Sequence, residues 1–137
     1  MLEGIKKLHF VGIGGVGMSA IAEVMLDKGY EISGSDLSES AVVKHLKAKG
    51  ATIYKGHDAL NVEGKEALVL SSAIHQDNPE LVAAKAKGLK LFHRSDILAY
   101  LLNDAKGIAV AGAHGKTTTS SMISVVLEHA KVDPTIL

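Results

Sequence analysis

The chain has 137 residues, 47% of them apolar but only 4% aromatic, with fifteen basic and fifteen acidic side chains and no cysteine. Such a length suits one ordinary domain with an aliphatic core, and the cancelled charge, free of blocks of one sign, argues against nucleic acid or an anionic membrane as the main partner. Without cysteine there are no disulfides and no thiolate metal sites.

From Leu8 onward, short β-branched or aliphatic runs alternate with longer amphipathic ones, the punctuation of βαβ units. The first strand is "LHFVGI", and the helix behind it carries Met18, Ile21, Ala22, Met25 and Leu26 in one apolar stripe, closed by Gly29. "YEISGS" is the second strand. The helix after it buries Val42, Val43 and Leu46, can be capped by Ser38 or Ser40 and ends at Gly50. "ATIY" and "ALVLSS" follow as strands, and Asn78 and Pro79 supply the cap and first turn of a third helix that closes at Gly88. "LKLF" is the fifth strand, and Ser95 can cap the helix "DILAYLLND". The expected architecture is therefore α/β, a Rossmann-like parallel sheet of five strands with flanking helices. After Lys106, a sixth strand "GIAVA" and the helix "TTTSSMISVVLEHA" predict the first βα unit of a second module with a P-loop, so that residues 1–106 and 107–137 form separate domains. No run approaches the roughly 20 apolar residues of a membrane span. The N-terminus lacks the apolar core of a signal peptide, which predicts a cytoplasmic protein.

Gly12-x-Gly14-x-x-Gly17 falls where the first strand becomes the first helix. Glycines at that spacing permit a tight turn and close approach of backbone to a pyrophosphate, which the unpaired N–H groups of the helix N-terminus would hold. Asp36 ends the second strand, where a carboxylate reaches a ribose hydroxyl in such domains. The plainer alternatives are a glycine turn needed only for chain reversal and an aspartate that merely caps a turn.

A second loop, Gly112-Ala113-His114-Gly115-Lys116-Thr117, is shorter than the standard phosphate loop, with Val110 where the first glycine would stand. Its chemistry still suits a nucleotide triphosphate: N–H groups around Gly115 can wrap phosphate oxygens, Lys116 can neutralise the transferring phosphate, and the Thr117 hydroxyl can join a magnesium shell. A lysine in a helix's first turn opposes the dipole and calls for an anion. None of the seven histidines pairs with another at metal-binding spacing, so no histidine metal site is expected.

Taken together, "FVGIGGVGMSAIAE", "GYEISGSD", "IYKGHD", "SSAIHQDNPEL", "HRSDILAYLL" and "AVAGAHGKTTTSSM" resemble the Mur ligases of bacterial peptidoglycan synthesis, in order and over nearly the whole chain. The resemblance implies an ATP-dependent ligase that joins L-alanine to UDP-N-acetylmuramate. The muramoyl carboxylate would take the γ-phosphate of ATP to form an acyl phosphate, from which the alanine amine displaces phosphate. By matching position, Gly12, Gly14, Gly15, Val16, Gly17 and Met18 would hold the UDP pyrophosphate, with Asp36, His57 and Ser72 on the uridine side. Gly112, Ala113, His114, Gly115, Lys116, Thr117 and Thr118 would hold ATP, Lys116 as the catalytic cation and Thr117 on Mg2+. Many relatives carry Thr where Ala113 stands, so a hydroxyl contact would be missing there. The family draws further magnesium and amino-acid contacts from segments with no counterpart here, which implies a piece of a longer ligase that is inactive by itself. The unpartnered apolar side chains of 107–137 then predict self-association. Two alternatives stay open: a sibling ligase that attaches a preformed peptide to the same sugar, and an NAD-binding dehydrogenase or regulatory domain, which would share the first loop but has no need of the second.

Overall fold

The computed structural model describes residues 1–136, which divide into two compact units, one of Met1–Leu101 and one that begins at Leu102. In the first unit five strands form one wholly parallel sheet: β1 (Lys7–Val11), β2 (Glu31–Asp36), β3 (Thr52–Lys55), β4 (Ala67–Leu70) and β5 (Lys90–His93), in the spatial order β3-β2-β1-β4-β5. The chain builds outward from β1 to β3, then crosses back to lay β4 on the other side of β1. That reversal opens a crevice beyond the carboxyl ends of β1 and β4, where doubly wound sheets bind their ligands.

Side chains alternate across the central strands and separate two cores. Leu8 and Phe10 of β1 and Ala67 and Val69 of β4 pack under α1 (Val16–Asp27), α2 (Ala41–Ala48) and α4 (Arg94–Asn103), with Ile21, Met25, Leu46 and Ile97 completing that layer. Val11, Leu68 and Leu70 point the other way, onto Leu81 and Ala84 of α3 (Pro79–Ala86) and Val62 of a short 3-10 turn, Ala59–Val62. The period-2 pattern of a strand buried on both faces thus demands helices above and below. All five expected strands and the helices between them are present, Ser40 accepting from the Val43 N–H and Asn78 from the N–H groups of Glu80 and Leu81. Val42, expected in the core, is exposed.

Two further expectations fail. Ser95 does not cap α4, which starts directly at Arg94; Asp96 reaches back instead, its Oδ2 accepting the His93 N–H at 2.8 Å. The segment "GIAVA" of the second unit forms no strand. A strand exists only where a neighbour pairs its N–H and C=O groups, and among the described residues none does. Only the helical half of that βα unit is formed: α5 (Lys116–His129), none of whose residues is buried.

Candidate functional site

A cavity of about 600 Å³ fills the crevice. Its floor is the loop from β1 to α1, contributing Gly12, Gly14, Gly15, Val16, Gly17 and Met18, and its walls are Asp36 at the end of β2, Ser71–Ile74 after β4, and Arg94 after β5. Every UDP-side residue expected from the sequence except His57 therefore meets in one place.

Counting the loop's donors shows what it can bind. The Gly12 and Ile13 N–H groups go to Ser35 O, that of Gly15 to Gly12 O, and those of Met18 and Ser19 to Gly15 O. Gly14 donates to Asp36 Oδ2 at 2.8 Å. Gly15, the N-cap of α1, has no side chain to offer, so the Val16 and Gly17 N–H groups keep no acceptor among the described residues and line the cavity. Two unpaired donors at the positive end of a twelve-residue helix make an anion cradle.

Asp36 turns out to be occupied by the protein itself. Its Oδ1 accepts the Ser38 N–H at 3.0 Å and the Ser38 hydroxyl at 3.2 Å, closing a local turn, while Oδ2 pins Gly14. It shapes the loop whatever else it touches. Ser71, Ala73, Ile74 and Arg94 were not singled out by sequence reasoning. The first three follow β4 and acquire meaning only once β4 is known to lie beside β1. Arg94 had a visible signal: it is the one arginine in a chain with fourteen lysines.

His57 lies instead in a polar cluster beneath the sheet. Glu80 of α3 is fully buried and accepts from His9 Nε2 at 3.1 Å, Ser35 Oγ at 2.6 Å, Asn61 Nδ2 at 2.7 Å and His57 Nδ1 at 2.9 Å. Burial pushes its carboxyl up, but the hydrogen bonds from His9, Ser35, Asn61 and His57 outweigh that and hold it down to about 2. An ionised carboxylate only accepts, so His9 carries a hydrogen on Nε2 and His57 one on Nδ1. The cluster ties β1, β2, the 3-10 turn and α3 together below the crevice.

In the second unit Gly115 is the N-cap of α5 with φ 76°, a left-handed conformation that a glycine adopts without strain. Lys116 opens the helix and folds back, its Nζ donating to Gly112 O at 2.6 Å. The ammonium thus sits over its own loop, whose first helical N–H groups lack intrahelical partners. Thr117 and Thr118 border a shallow depression with Ser121, Met122, Val125 and Val126. Among the described residues no three His, Asp or Glu side chains gather as a metal site.

The fold and its crevice define a doubly wound, Rossmann-like α/β protein. The family profile described as Mur ligase family, catalytic domain, matches residues 7–106. The UDP-N-acetylmuramate--L-alanine ligases of Hydrogenobaculum sp. (strain Y04AAS1) and Dictyoglomus turgidum are 57% and 54% identical over 98% and 96% of the chain. The crystal structure of UDP-N-acetylmuramate-alanine ligase from Thermotoga maritima superposes with a TM-score of 0.84 at 35% identity, covering 91% of this chain and 30% of that one. The UDP-N-acetylmuramate:L-alanyl-gamma-D-glutamyl-meso-diaminopimelate ligase from Neisseria meningitides gives 0.85 at 31%, covering 93% and 40%. This chain belongs to the Mur ligase family. It spans 30% and 28% of the length of the Hydrogenobaculum and Dictyoglomus relatives.

Proposed function

We propose that this chain is the UDP-sugar-binding domain, residues 1–106, and the beginning of the central ATP-binding domain, residues 107–137, of an ATP-dependent ligase that joins L-alanine to UDP-N-acetylmuramate in peptidoglycan synthesis. The observation that carries the reading is the pairing, in one Mur-family chain, of an anion cradle at the switch point of the sheet with a Gly-Lys-Thr helix start in the second unit. The uridine diphosphate would lie along Gly12–Met18, with Ser72 on the opposite wall and Asp36 holding the loop in shape. His57 stands apart from this lining and would act on the nucleotide only through Ser35 and the end of β2.

For ATP, the residues present fit a triphosphate: Gly112, Ala113 and Gly115 keep side-chain bulk low at three of the four loop positions, and the N-terminus of α5 gives the donors. Lys116 would exchange Gly112 O for phosphate and stabilise its charge. Magnesium would find the Thr117 hydroxyl here and take further ligands from phosphate, water and other parts of the enzyme. L-Alanine, rather than a peptide, is favoured as the partner by the relatives at 57% and 54% identity, both alanine ligases. No helix among the described residues is long and apolar enough to cross a membrane. The proposed compartment is the cytoplasm, where ATP and the sugar nucleotide are made available.

Calorimetry tests the reading. Saturable heat is expected with UDP-N-acetylmuramate and none with NADH; binding of NADH in preference to the UDP-sugar would restore the dehydrogenase alternative.

We also infer that the 137-residue chain self-associates through its second unit. Ile108, Met122, Val125, Val126, Val132 and Ile136 are each more than half exposed, a density of aliphatic surface that water disfavours. Light scattering over a dilution series should show a mass that falls toward the monomer as concentration drops. A monomer at every concentration would refute this.

A further inference from the structure

The third glycine of the first loop holds an unexpected neighbour. A Cβ built on Gly17 would run into the Arg94 guanidinium, and its next closest contacts are Arg94 Cδ at 3.1 Å and Cζ at 3.2 Å. All three nearest atoms belong to one flexible side chain of α4, and none to the sheet. In domains of this class the third glycine is usually explained by close packing of helix on strand. Here the space goes to an arginine. Its guanidinium lies against Gly17 in the first turn of α1, lines the same cavity as the unpaired Val16 and Gly17 N–H groups, and is paired with no carboxylate among the described residues.

We propose that Arg94 is the phosphate-binding cation of the crevice, and that residue 17 is glycine so that Arg94 can lie over the helix N-terminus. This rests on the nucleotide reading above and adds to it a recognition residue and its support. A planar guanidinium with its fork of donors grips phosphate oxygens in two places, which a lysine cannot do, and this is the one arginine among fifteen cations. With the Gly14 N–H already held by Asp36, the anion receives two backbone donors and this side chain. Because the clash is confined to one flexible side chain, alanine at position 17 is expected to displace Arg94 and leave the fold intact.

The test is a double-mutant cycle on the 137-residue chain, with UDP followed by calorimetry and uridine by ligand-observed NMR. Arg94→Ala should weaken UDP roughly 10- to 100-fold, the span of a lost charge-assisted hydrogen bond, and leave uridine unchanged. Arg94→Lys should recover only part. Gly17→Ala should weaken UDP comparably without lowering the thermal midpoint, and the double variant should be no weaker than Arg94→Ala alone. Wild-type affinity in folded Arg94→Ala overturns the proposal, while additive losses in the cycle overturn the part assigned to Gly17. If the unsubstituted chain binds no UDP, the nucleotide reading itself falls and this inference with it.

Discussion

Glu80→Ala is expected to damage the first unit as severely as the loss of a large core side chain, costing about 3–5 kcal/mol, the range seen when one member of a buried charged network is removed. The carboxylate accepts four hydrogen bonds in a place with no access to water, and its loss leaves His9, Ser35, Asn61 and His57 with donors aimed at a void. Against a total stability of roughly 5–15 kcal/mol for a domain, that is enough to unfold a large fraction of the molecules at moderate denaturant. Glu80→Gln removes the charge at nearly constant shape and sets an amide NH2 against two of the four donors, a penalty that does not vary with the titration of a carboxyl at this position. The folded-state carboxyl is held at about 2 against an ordinary 4.5, so its contribution is complete above pH 4.5 and is lost as pH falls toward 2. A difference of that size corresponds to about 3 kcal/mol. Denaturant midpoints at a series of pH values should therefore show the wild type losing stability between pH 4.5 and 2 more steeply than Glu80→Gln. The other carboxyls held low, Glu23 and Glu66, are common to both proteins and cancel in the comparison. Parallel acid limbs would mean that the charge of Glu80 contributes nothing to folding.

Nothing in the local sequence announces this cluster. Glu80 reads as an ordinary acidic residue in the first turn of a helix behind Asn78 and Pro79, where the dipole welcomes it at the surface. Only the pairing of β1 with β2 sets His9 opposite Ser33, and only the crossover to β4 brings α3 beneath them. The trace that could have been followed is a histidine inside an otherwise apolar strand, with serines two apart in the strand beside it, all facing one layer. The strands, the helices and the first loop were legible because each depends on neighbours in sequence: period-2 runs, a 3.6-residue apolar stripe, glycines at a strand end. Arg94 and Ser71–Ile74 were not, since their place beside the glycine loop follows from strand order, which local pattern does not contain. "GIAVA" shows the converse. Its composition is that of a strand, but composition does not supply the pairing edge that makes one.

Gly14→Val is expected to abolish binding of UDP-N-acetylmuramate, a loss beyond about 100-fold, in a protein that still folds. Gly14 is not among the glycines with a left-handed backbone, so the objection to a side chain there is one of space. Even the first carbon would lie 2.8 Å from Asp36 Oδ2 and 2.9 Å from Val43 Cγ2, and the two methyl groups of valine must go further into the same gap. Three things then move together. The Asp36 carboxylate is driven off the Gly14 N–H, the turn it closes through Ser38 loosens, and α2 is pushed outward at Val43. The loop that presents Val16 and Gly17 to the phosphates loses the contact that fixes its course. Overpacking of this kind costs roughly 1–3 kcal/mol, which a sheet of five paired strands should survive. Circular dichroism and a thermal melt would establish that the variant is folded, and calorimetry with the sugar nucleotide would then read the site. Asp36→Ala is the informative companion: it removes the lock on Gly14 without filling the cradle, so it should weaken binding by less than the valine does. A folded Gly14→Val protein with wild-type affinity would place the sugar nucleotide somewhere other than the crevice between β1 and β4.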